Sequence, residues 1–111
     1  MIAIFRDRKF QLWEYKVSHG SLLIRSPKSP SETNNIDLIF AGVEFVQLPR
    51  HLDGIVVEEG NKSDLALSTK LTLRSTSKVF VISSAGERHL IAAVAIKICE
   101  NEVDIFDSPF V

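Results

Sequence analysis

Few residues in this chain carry catalytic or metal-ligating chemistry. They include three histidines, His19, His51 and His89, and a single cysteine, Cys99. A structural zinc site takes four ligands and a catalytic one takes three plus water. The histidines are widely spaced and no H-E-x-x-H pair occurs. Cys99 has no second cysteine with which to form a disulfide or share a metal. No metal site and no cofactor is expected.

His51 and Asp53 lie two residues apart in Pro49-Arg50-His51-Leu52-Asp53-Gly54. This segment reads as a loop between two apolar strands, with a cation, a titratable ring and a carboxylate. Loops held by rigid sheets often carry function. Plain turn chemistry accounts for the same residues, since Pro and Asp-Gly suit a turn. Arg50, His51 and Asp53 are therefore candidate binding residues.

A nucleophilic mechanism would need a Ser or Cys, a base and an orienting acid. No G-x-S-x-G elbow is present, and Cys99 sits in an apolar run that reads as packing. Glu58 and Glu59 are neighbours, so on a strand they point to opposite faces. Glu100, Glu102, Asp104 and Asp107 lack the ordered spacing of a calcium loop. The five glycines form no phosphate-cradling motif. No catalytic residue is expected, and the chain reads as a non-enzyme.

Arg6-Asp7-Arg8-Lys9 lies near Phe5, Phe10, Trp13 and Tyr15. Aromatic and basic residues on strands can stack bases and meet phosphates. A formal net charge of −1 supplies no field to support that reading. Nucleic acid is not an expected partner. Charge is nonetheless uneven, with residues 1–30 mainly basic and residues 31–60 mainly acidic. Adjacent basic and acidic strands would pair such charges; a two-faced docking surface is the alternative.

The elements that must position these groups follow a period of two. Leu65, Leu67, Leu71 and Leu73 alternate, with Lys70, Thr72 and Arg74 on the expected wet face. Leu90, Ala92, Val94, Ile96 and Ile98 alternate as well. Side chains alternate faces along a strand, so this spacing predicts β-sheet. Further strands are expected within Ile2 to Ser26, at Ile36 to Phe40 and Val43 to Leu48 around Gly42, at Ile55 to Glu58, at Val79 to Ile82, and at Val103 to Phe106, returning from a hairpin tip at Glu100-Asn101. Ser18-His19-Gly20 marks a hairpin turn. The Pro- and Ser-rich stretch from Ser26 to Asn35 marks a loop.

Residues 85–99 admit two readings. Ser84 and Glu87 have capping-box spacing and the alanines favour helix. The β-branched alternation favours strand, which is the preferred reading.

Trp13 and Tyr15 should share one strand face with Gln11 and Val17, and Phe10 and Leu12 the other. Both faces are then apolar. A β-bulge near Leu12 and Trp13 would explain this, as would a partner chain covering the second face. Trp13 and Tyr15 are therefore also candidate binding residues, and a homodimer through this strand is one possibility.

The chain has 111 residues, 45% of them hydrophobic. That suits one domain, 1–111, burying roughly two-thirds of its unfolded surface. The expected fold is all-β, an antiparallel small sandwich or partly open barrel; the alternative is an α+β half-barrel with a C-terminal helix near residues 85–99. No signal-peptide core or bilayer-length apolar stretch is evident, so a soluble, cytoplasmic, non-membrane protein is expected. The expected function is a non-catalytic protein-interaction or scaffold module. The alternatives are a small-molecule-binding β-barrel, with Ala92, Ala93 and Ala95 as its small inner residues, and an enzyme built on His51 and Asp53.

Overall fold

The computed structural model describes residues 2–61, 63 and 76–103. They form eight strands: β1 (Ala3–Lys16), β2 (Ser21–Ser26), β3 (Asn35–Ala41), β4 (Phe45–Gln47), β5 (His51–Glu59), β6 (Lys78–Ser84), β7 (Glu87–Ala93) and β8 (Ala95–Asn101). Every strand pairing is antiparallel, and the order in the sheet is β4-β7-β6-β5-β1-β2-β3-β8. The architecture is therefore the all-β, antiparallel one that the alternation implied, an open sandwich rather than a closed barrel. The alternating run at residues 65–73, and all but Val103 of the strand expected at 103–106, lie outside the described residues.

One corner folds the sheet over. β3 continues into β4 past Gly42, and β7 continues into β8 past Val94. The two bends lie side by side: the Val94 N–H donates to Ala41 O at 2.9 Å, and the Glu44 N–H to Ala92 O at 2.8 Å. β3 thus pairs with β8, while its continuation pairs with β7. The halves close on one core that includes Phe10, Leu22, Ile24, Leu38, Phe40, Ile55, Val57, Phe80, Ile82 and Ile91. Phe40 and Phe80 meet edge to face at 5.6 Å. Fully burying a side chain of this size contributes about 1.5–3 kcal/mol.

The opposite faces of β6 and β7 are buried too. Val79, Val81, Leu90 and Ala92 form a second cluster with Phe45 against it. This explains why Val79-Phe80-Val81-Ile82 and Leu90-Ile91-Ala92-Ala93 are continuous apolar runs. A strand covered on both sides has no polar face to alternate.

No helix forms over 87–101, so the strand reading of this segment holds and the capping-box signal fails. Ser84 and Glu87 instead close the β6–β7 hairpin. Its two-residue loop has positive φ at both positions, 51° at Ala85 and 79° at Gly86. Such a turn matches the twist of the flanking strands. The expected single face from Leu90 to Ile98 is split by the corner. Leu90 and Ala92 lie in the second cluster, whereas Ile96 and Ile98 pack against the main core.

A second correction concerns residues 49–54. His51, Leu52, Asp53 and Gly54 belong to β5 and are not a loop. Asp53-Gly54 reads as a turn in sequence, but here it answers an irregularity in the neighbouring strand.

β1 slips register twice. Against β2, Leu12 pairs with Ile24 and Glu14 with Leu23, so Trp13 is the extra residue of a bulge. The bulge anticipated from the apolar phase shift lies at this point. It also overturns the shared face of Trp13 and Tyr15. Trp13 lies against Arg25 on the outer side, with the guanidinium 5.4 Å from the ring centroid. Tyr15 pairs with core residue Leu22 and so points to the inner side, where it is exposed at the end of the strand. The second slip, not expected from sequence, lies between Phe5 and Lys9 against β5.

Candidate functional site

The second slip builds the most chemically mixed surface among the described residues. Phe5 pairs with Ile55 and Lys9 with Asp53, so Arg6, Asp7 and Arg8 stand opposite Gly54 alone. Gly54 has φ +68°, and a Cβ there would lie 2.7 Å from Arg6 O. Only glycine fits both that backbone and that approach. Asp53 keeps its register partner Lys9 on β1, but on the other side the β5–β6 register begins only at Val56 with Ser83, and there the Ser84 hydroxyl serves the Asp53 backbone. Ser84 Oγ accepts from the Asp53 N–H at 3.1 Å and donates to Asp53 O at 3.2 Å.

Two open hollows flank Asp53. One, of about 300 Å³, is lined by residues that include Arg6, Asp53, Gly54, Ser83 and Gly86. The other, of about 360 Å³, is lined by Lys9, Phe10, Gln11, His51, Leu52 and Asp53. The structure thus brings His51 and Asp53 together with Arg6, Lys9 and Ser83. Arg50 precedes them, its carbonyl accepting the Leu12 N–H at 2.9 Å. Arg50, His51 and Asp53 are exposed, and among the described residues no hydrogen bond joins His51 to Asp53. Exposed charges are screened by water and little preorganised, so the region suits recognition of polar groups better than acid–base catalysis. Of the three histidines, His19 ends a single-turn 3-10 helix, Val17–His19, whereas His51 and His89 are on strands. Among the described residues, no three His, Cys, Asp or Glu side chains gather in a way that could hold a metal ion.

A second constellation was not anticipated. Arg25 and Asp37 are both fully buried and pair across β2 and β3. The pair is bidentate, Nε to Oδ1 at 2.7 Å and a terminal nitrogen to Oδ2 at 3.0 Å. Asn101 Nδ2 also donates to Asp37 Oδ2 at 2.6 Å. Asn35 Nδ2 donates to Asn101 Oδ1 at 2.9 Å and to Val103 O at 3.0 Å. Trp13 covers the Arg25 guanidinium. Arg8 extends the polar system to the loop after β2, donating to Ser26 O at 3.1 Å and Asn34 O at 2.9 Å and pairing with Glu32 at 3.1 Å. Buried charges must be paired and hydrogen-bonded to be tolerated. This network therefore fixes register and ties the end of β8 to β3. It also sets basic against acidic segments, as does Arg8 with Glu32. A signal was present in sequence: Arg25 ends the run Leu22-Leu23-Ile24, and Asp37 sits between Ile36 and Leu38.

The sheet ends are the third feature. β4 is three residues long, whereas β8 has seven and pairs with β3 along its whole length. Among the described residues nothing pairs with the other edge of β8. Ile96 and Ile98 are half-buried against the core, and Lys97 and Glu100 are exposed.

Tyr15 and Trp13 join neither the hollows nor this edge. β1 lies between β5 and β2 in the sheet. Ala92, Ala93 and Ala95 line no common wall; they lie in the second cluster, in the main core and at the surface respectively. No helix among the described residues is long and apolar enough to cross a membrane. Comparison with protein families, curated sequences and solved structures found no match to this chain.

Proposed function

We propose that this chain is a non-catalytic module that binds another protein, as an interaction or scaffold unit. The observation that carries this reading is where the sheet ends. A seven-residue strand, pinned along one side, has no partner on its other side among the described residues. An unpaired edge is a ready surface for another polypeptide. The small-molecule-barrel reading has less support, because Phe10, Phe40, Phe80, Ile82 and Ile91 fill the interior where a ligand would sit. The enzyme reading has less still, since His51 and Asp53 are exposed and not hydrogen-bonded to each other.

The test starts with affinity capture from the native cell extract and identification of what is retained. Reconstitution of the two purified proteins follows. A stoichiometric complex that survives size exclusion supports the reading. Failure to reconstitute any complex, together with a small molecule carried through native mass spectrometry, would replace it with the ligand-binding alternative.

A further inference from the structure

We draw no further inference here: the strongest candidate, the pair of open hollows flanking Asp53 on β5, carries nothing beyond the site already described, because the exposed Arg6 and Lys9 line it alongside the Asp53 carboxylate and charges of both signs specify no ligand.

Discussion

Replacing Arg25 by methionine removes one member of a buried ion pair and leaves the other in place. Arg25 and Asp37 are both 0% exposed. After the substitution Asp37 keeps the Asn101 amide but loses two charge-assisted hydrogen bonds. Breaking such a pair from one side costs about 3–5 kcal/mol, because the remaining charge stays desolvated. Against a total stability of about 5–15 kcal/mol, that is a large share. At about 4 °C per kcal/mol for a chain of this length, Tm should fall by about 12–20 °C. Urea titration followed by Trp13 fluorescence measures the free-energy loss, and a thermal scan with the same probe measures the fall in Tm. Trp13 is the chain's one tryptophan and lies over the Arg25 guanidinium. The double variant Arg25→Met/Asp37→Leu removes both charges and should recover at least half of the loss. It will not recover all, since Asn101 then lacks an acceptor, a deficit of about 1–3 kcal/mol. A single variant within about 1 kcal/mol of the parent, or a double variant no more stable than the single, would refute the reasoning.

Three further outcomes are expected. Gly54→Ala should destabilise by at least about 1–3 kcal/mol from the positive φ alone, and the 2.7 Å approach to Arg6 O adds to it; unchanged denaturation would show that the second slip in β1 is not needed. Ala85→Asn creates Asn-Gly in the β6–β7 turn and should stabilise by about 0.5–1 kcal/mol, seen as a raised urea midpoint with an unaltered slope. His51→Ala, at an exposed position, should stay within about 0.5 kcal/mol of the parent and leave the affinity of a reconstituted complex unchanged; loss of binding would move the contact surface to the hollows beside Asp53.

The β class followed from branched alternation, and the bulge at Trp13 from two apolar faces on one strand, because each leaves a local trace. The split at Val94 leaves none. Leu90 and Ile98 keep the same spacing whether the chain runs straight or turns a corner, and only the pairing of Ala41 with Ala95 reveals the turn. Asp53-Gly54 misled for a related reason. Its glycine is required by the Arg6 backbone across the sheet, about 50 residues earlier in sequence, and not by a local turn. Arg25 and Asp37 are 12 residues apart and became a pair only once β2 and β3 were in register. The place of β8 at the end of the described sheet is likewise a property of strand order, which alternation does not encode.

Amide hydrogen exchange on the full chain, alone and in a reconstituted complex, tests most directly whether a protein partner meets it at β8. New protection is expected at alternate residues between Ala95 and Asn101, with His51 and Asp53 unchanged. Protection that appears around His51, Asp53 and Lys9 while β8 exchanges as before would contradict it.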